Sequence, residues 1–207
     1  MSTQSPGAVV AIWNGIADGG HGRFYEWHER EHMPERVSIP GFLRGRRYRA
    51  VSGGPEFFTR YDLESPDVLT GEAYLARLDA PTDWTLRTLP YFRDTSRALC
   101  LPVLDRAPGS GAWLSTIRVF AQPAADLSGA LVEALPASDA GEGLIRLLVL
   151  RTDPEASAKP TREKASRPSE QALPDFTILV EARDRPGLGS ASGRLAAGLA
   201  KIAALGH

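Results

Sequence analysis

Hydrophobic and polar positions in the first half of the chain alternate between the spacing of strands and the spacing of helices. Runs with strand-like patterning occupy 7–16, 42–51, 56–64 and 96–104, and runs with helical patterning occupy 22–37 and 66–78. The turn cluster Ser52-Gly53-Gly54-Pro55 lies between the two middle strands and predicts a hairpin over 42–64. The resulting order is β-α-β-β-α-β, the split βαβ arrangement of ferredoxin-like folds.

The second half repeats this order after a Pro/Gly-rich stretch at 107–111. It predicts strands at 113–122, 143–151 and 175–183 and helices at 125–135 and 189–205. The chain ends where a fourth strand would begin. We therefore expect an α+β protein with two tandem ferredoxin-like units, 1–106 and 111–207, which form a dimeric α/β barrel within one chain.

Residues 154–174 differ from both halves. Four prolines alternate there with Lys, Glu, Arg and Ser, and large apolar side chains are nearly absent. Such a segment buries too little surface to offset the entropy of ordering it. We expect a mobile loop between two strands of the second unit.

Composition narrows the class of protein. The chain is 43% hydrophobic and 24% charged with a formal net charge of −1, which does not favour nucleic acid or an anionic membrane as a partner. No run approaches the roughly 18 apolar residues of a membrane span, and the first residues do not resemble a signal peptide. The single cysteine, Cys100, excludes an intrachain disulfide and is expected in the core. A cytoplasmic location follows by default.

The stretch His28-Glu29-Arg30-Glu31-His32 is a literal H-E-x-x-H pattern, which on a helix can hold zinc. Three features count against a zinc site. Pro34 is expected to break or kink the helix directly after His32. No third ligand stands at a suitable spacing, and three charged residues separate the histidines. We expect no stoichiometric zinc.

The same helix places Phe24, Trp27, His28 and Glu31 on one face. A face that buries the two aromatic rings must also bury an imidazole or a carboxylate, and such groups need partners. One interpretation is a structural histidine at a helix rim. The other is that His28, Glu31 or His32 borders a cavity as a general acid or base.

The stretch 24–36, closing in Ile39-Pro40-Gly41-Phe42, resembles the W/Y-x-x-E-H-x-P-E … P-G-F signature of dimeric α/β barrel proteins, in the EthD-like branch. Arg46-Arg47-Tyr48 and the segments 61–69 and 73–87 fit the same group. The resemblance covers about residues 10–105, and the second half matches only in topology.

The resemblance implies a superfamily of cofactor-free monooxygenases, isomerases, cyclases and lyases, together with some haem enzymes and members without assigned activity. The matched histidine is His32, with Glu31 and Glu35 beside it. We therefore expect a small aromatic or polyketide-like ligand, acid–base chemistry without a cofactor and no metal; the alternative is a non-catalytic binding or assembly domain. A homodimer is left open. The candidate catalytic residues are His32, Glu31 and His28, and the candidate binding residues are Trp13, Asn14, Tyr48, Tyr61 and Trp84.

Overall fold

The structure, a computed structural model, describes residues 5–106, 109–120, 143–158 and 171–205, the last eight of these as backbone. The described residues divide into two units. The first unit holds 6–101 together with 153–158 and 171–173, and the second holds 102–106, 109–120, 143–152 and 174–205. The predicted helix at 125–135 and the middle of the predicted loop, 159–170, lie outside the described residues.

The sheet of the first unit confirms the predicted element order. Its strands are β1 (Ala8–Ile16), β2 (Phe42–Arg49), β3 (Phe57–Leu63) and the part of β4 (Phe92–Arg106) up to residue 101. They lie in the order β2-β3-β1-β4, and each neighbouring pair is antiparallel. This order, with helices after β1 and β3, is the split βαβ arrangement.

The helical segment after β1 differs from its prediction at one point. It consists of α1 (His21–Trp27), a π-helical turn (His28–His32) and α2 (Met33–Val37), without a break at Pro34. Met33 has helical backbone angles, φ −64° and ψ −49°, and its N–H donates to the carbonyl of His28. Pro34 has no N–H for the carbonyl of Arg30, and the wider turn directly before it accommodates the proline within a continuous helix.

The second crossover of the first unit is more divided than the single predicted helix. A 3₁₀ turn (Pro66–Thr70) precedes α3 (Glu72–Asp79), and α4 (Asp83–Thr88) follows with a short 3₁₀ turn (Leu89–Tyr91). The side chain of Thr82 caps α4 by accepting a hydrogen bond from the backbone N–H of Thr85 at 3.0 Å.

A β-bulge in β2 changes which side chains share a face. The pairing with β3 shifts between Phe42 and Arg44, so Phe42 lies on the same face as Gly45 and Arg47. Strict alternation along the strand would place Phe42 with Arg44, Arg46 and Tyr48, whereas the bulge places it on the other face. The bulge directs Phe42 into the core between the sheet and the helices, where it is 8% exposed.

The predicted loop 154–174 is helical where the structure describes its start. Residues Pro154–Ala158 form a short helix, α5, which belongs to the first unit. The hydroxyl of Ser157 accepts a hydrogen bond from the backbone N–H of Leu99 in β4 at 2.9 Å. At the other end, the N–H of Gln171 donates to the carbonyl of Thr95 at 2.8 Å.

The second unit contains three further strands and one long helix. These are β5 (Trp113–Val119), β6 (Leu144–Asp153), β7 (Phe176–Ala182) and α6 (Arg185–Leu205). β7 pairs with both β5 and β6 in antiparallel register. None of the helices in the described part of the chain has the length and apolarity needed to cross a bilayer.

Candidate functional site

A partly open cavity lies on the helix-facing side of the first unit's sheet. Its enclosed volume is about 20 Å³, room for about one water molecule, so a larger ligand enters only if lining side chains move. Its apolar wall is formed by Val10 and Ile12 of β1 and Phe42 of β2, and its polar lining is His32, Arg36, Tyr61, Tyr74 and Arg97. An apolar wall with a few convergent polar groups is the usual composition of a site for a small organic molecule.

His32 reaches the cavity from the end of the π-helical turn. It is 6% exposed, and its ring packs against the indole of Trp27 with centroids 4.3 Å apart. π-helical turns occur frequently at functional sites because the extra residue redirects the side chains around it. His32 therefore lies at the cavity, as predicted, because the helix widens into a π-helical turn and not because the helix ends there.

His28 lies in the core beside His32 and is not part of the cavity lining. Burial, followed by the positive charge of Arg47, lowers the pKa of His28 to about 3. Its ring packs against Phe24 and Trp27, with centroids 5.3 and 5.9 Å away. At neutral pH His28 is an uncharged core residue, which suits a structural role better than general acid or base chemistry.

Glu31 contacts the N-terminus of α4 rather than the cavity. Its Oε1 accepts hydrogen bonds from the hydroxyls of Thr82 at 2.6 Å and Thr85 at 3.2 Å. Thr85 in turn accepts a hydrogen bond from the indole N–H of Trp27 at 3.0 Å. These hydrogen bonds connect the π-helical turn to α4 and give Glu31 a structural role.

Of the five predicted binding residues, Tyr61 lines the cavity together with His32. Trp13 and Tyr48 lie on the opposite face of the sheet, where both rings pack against Phe58 at centroid distances of 5.0 and 6.2 Å. Asn14 is buried and donates to the carbonyl of Gly15. Trp84 packs against a separate apolar cluster around Phe24, Trp27 and Leu89.

Three residues of the lining, Arg36, Tyr74 and Arg97, were not predicted from the sequence. Arg36 is 5% exposed, and its guanidinium carbon lies 5.8 Å from the centroid of the Tyr74 ring. Arg97 donates from Nη2 to the Tyr74 hydroxyl at 2.9 Å. The available signal was the position of Arg97 in the otherwise apolar run "SRALCLPVL", where an arginine is unusual.

The two histidines of the H-E-x-x-H pattern have ring centroids 5.7 Å apart. Among the described residues, no group of three or more His, Cys, Asp or Glu side chains is arranged to hold a metal ion. The expectation that the protein binds no stoichiometric zinc stays a prediction, and elemental analysis of purified protein measures it directly.

No protein-family model matches the chain, and no curated protein matches it. Among solved structures, it is similar to an anthrone oxidase-like protein, with a TM-score of 0.48 and 13% identity over 95% of this chain and 88% of that one. It is also similar to a candidate monooxygenase from Lactobacillus acidophilus, with a TM-score of 0.48 and 12% identity over 90% of this chain and 86% of that one. A third similar structure is a candidate chlorite dismutase, with a TM-score of 0.49 and 12% identity over 93% of this chain and 86% of that one. At these values the likenesses transfer no activity and no residue role.

Proposed function

We propose that this chain is a dimeric α/β barrel protein of the EthD-like branch that acts on a small aromatic or polyketide-like molecule. It does so by acid–base chemistry at His32, without a cofactor, as the single chain or as a homodimer. The observation that carries the proposal is the position of His32 in the lining of a cavity with an apolar wall and two phenols. The order β2-β3-β1-β4 of the first unit supports the barrel class.

The lining suits proton transfer to or from a bound carbon acid. An imidazole is the side chain whose charge changes most readily near neutral pH. Tyr61 and Tyr74 present phenol groups to the same space as His32, and a phenol can donate to an oxygen on which negative charge develops. The apolar wall of Val10, Ile12 and Phe42 excludes water from the rest of the ligand.

A non-catalytic binding protein is the second candidate. It is favoured by the environments of His28, which is buried and uncharged, and Glu31, whose Oε1 is engaged by two threonines. Under this alternative the cavity still takes a small aromatic molecule, but His32 shapes the site without exchanging protons with the ligand.

The test measures proton exchange at a defined carbon atom. The probe is 2-tetralone, an aromatic ketone with an acidic C–H group beside its carbonyl, and NMR in D₂O follows the replacement of that hydrogen by deuterium. We expect the wild-type protein to accelerate the exchange above the buffer rate and His32→Gln to abolish the acceleration with nearly unchanged melting temperature. Arg30→Gln, at an exposed position on the same helical segment, is the control.

The possible results separate the two candidates. Binding of 2-tetralone without acceleration would support the non-catalytic alternative. Acceleration that persists in His32→Gln would remove His32 from the chemistry. If the indole N–H signal of Trp27, whose ring packs against His32, does not respond to this probe or to other small aromatic ketones, both candidates fail.

A further inference from the structure

The rings of Trp27 and His32 pack against each other although the two residues are five positions apart. Their centroids lie 4.3 Å apart and their planes are 30° apart, so the imidazole lies over the face of the indole. On a regular α-helix, positions 27 and 32 would point about 140° apart, because each residue advances by about 100°. In the π-helical turn the N–H of Met33 donates to the carbonyl of His28, five positions earlier. This wider turn brings side chains five positions apart onto one side and so allows the stack.

The indole is held from its other edge by Thr85 of α4. The Nε1–H of Trp27 donates to the hydroxyl oxygen of Thr85 at 3.0 Å, and that hydroxyl donates to Oε1 of Glu31 at 3.2 Å. Trp27 is 1% exposed and Thr85 is 4% exposed, so the hydrogen bond between them is shielded from water. A buried indole N–H that turned away from its acceptor would remain unsatisfied, at a cost in free energy. The orientation of the indole face beneath His32 therefore depends on Thr85.

The indole face favours the protonated form of His32. The face of an aromatic ring carries partial negative charge and attracts a cation within about 6 Å of the ring centroid. His32 is 6% exposed, and burial by itself disfavours an imidazolium. The stack acts against burial and lowers the cost of protonating His32.

We propose that Trp27 and Thr85 are positioning residues for His32. Thr85 fixes the indole, and the indole holds the imidazole in one orientation at the cavity and lowers the cost of its protonation. Neither Trp27 nor Thr85 lines the cavity, so both act through His32. This inference rests on the proposed acid–base role of His32 and adds the residues that set the orientation and charge of its ring.

The test observes the His32 ring by NMR in protein with isotope-labelled histidine and without any ligand. The signals that disappear in His32→Gln identify the ring. A ring proton above an indole face resonates upfield of its position in free histidine, and the midpoint of the pH titration reports the cost of protonation. Thr85→Val keeps the shape of the side chain but lacks the hydroxyl. We expect it to reduce the upfield shift and to move the midpoint down by about 0.5 pH unit.

Other groups near His32 stay the same in Thr85→Val, so the change in midpoint reports the stack. The titratable and charged groups that face His32 in the described part of the chain are Arg36, Tyr61, Tyr74 and Arg97 of the cavity lining and His28 of the same turn.

Two threonine variants separate positioning of the ring from a general loosening of the turn. Thr85→Ser keeps the hydroxyl and should restore both the upfield shift and the midpoint. Thr82→Ala removes a hydrogen bond to the same oxygen of Glu31, donated at 2.6 Å, but leaves the acceptor of the indole N–H in place. It should leave the His32 signals at their wild-type positions. Circular dichroism of each variant establishes that it is folded.

A change in the indole itself tests the same path. Trp27→Phe keeps an aromatic face but lacks the N–H, so it should move the His32 signals in the same direction as Thr85→Val. Because both changes break one hydrogen bond, the double variant Trp27→Phe/Thr85→Val should move the signals little further than Trp27→Phe alone. Full additivity of the two changes would show that Thr85 does not act through Trp27.

The outcomes for this inference and for the proposed function are distinct. His32 signals that stay at their wild-type positions in folded Thr85→Val, or that move equally in Thr82→Ala, would overturn the inference. The exchange of 2-tetralone hydrogens tests the proposed function separately, and Thr85→Val should slow this exchange. If wild type does not accelerate the exchange while the His32 signals respond as expected, the positioning of the ring stands and the proposed function fails.

Discussion

At the scale of single residues, the environment of each polar group decides whether it serves structure or chemistry. His28 and His32 are four positions apart and both are buried, yet only His32 lines the cavity. The sequence identified the cluster of histidines and placed His32 at a cavity. It could not identify Arg36 and Arg97, because their meeting at Tyr74 depends on the packing of α2, α3 and β4 rather than on local spacing.

The pKa of His28 predicts a pH-dependent stability. Its pKa is lowered from 6.5 to about 3 in the folded state, so below pH 6.5 the unfolded chain binds a proton that the folded chain does not. The contribution of the uncharged His28 to the free energy of unfolding is complete above pH 6.5. It is lost as the pH falls toward 3, with a slope of about 1.4 kcal/mol per pH unit.

Urea unfolding at pH 7, 6 and 5 measures this slope. Carboxylates titrate in both proteins, so the informative quantity is the difference between wild type and His28→Gln, in which position 28 does not titrate. Between pH 6 and pH 5 we expect wild type to lose about 1 kcal/mol more than the variant. Parallel curves for the two proteins would contradict the buried, uncharged state of His28.

At the scale of elements, the sequence predicted the seven described strands and the helical segments at 22–37, 66–78 and 189–205, but it missed α4, α5 and two irregularities. The π-helical turn at 28–32 and the bulge between Phe42 and Arg44 each change the direction of side chains that line the cavity. Neither has a local pattern that distinguishes it from a regular element. The turn adapts a continuous helix to Pro34, and the bulge allows Phe42 to reach the core, so both depend on tertiary packing.

The junction between the π-helical turn and α4 predicts the effect of a change at Thr82. This hydroxyl caps α4 by accepting from the N–H of Thr85 and donates to Glu31 at 2.6 Å. Thr82→Ala should lower the free energy of unfolding by about 1–2 kcal/mol, because both hydrogen bonds are lost. Thr82→Ser keeps the hydroxyl and should remain close to wild type in urea unfolding. Equal stabilities of the alanine and serine variants would show that the cap contributes nothing.

At the scale of the whole molecule, the two units do not follow the chain in simple succession. Residues 153–158 and 171–173 belong to the first unit, although the chain before residue 153 and after residue 173 belongs to the second. The sequence predicted a solvated loop here because prolines and charged residues dominate 154–174. The signal for a docked segment was small: Ser157 follows Asp153 at helical spacing, and Asp153 caps α5 by accepting from the N–H of Ala156 at 2.9 Å.

A substitution at Ser157 tests whether residues 153–158 belong to the first unit. It is 3% exposed, accepts from the N–H of Leu99 at 2.9 Å and donates to the carbonyl of Asp153 at 2.6 Å. Ser157→Ala leaves the buried N–H of Leu99 without its acceptor, which should lower the free energy of unfolding by about 1–3 kcal/mol. Amide hydrogen exchange should show faster exchange at Leu99, whereas Ser52→Ala, in an exposed turn, should change neither quantity. If the Leu99 amide stays as protected in Ser157→Ala as in wild type, α5 does not cover that part of β4 in solution, and the assignment of 153–158 to the first unit is wrong.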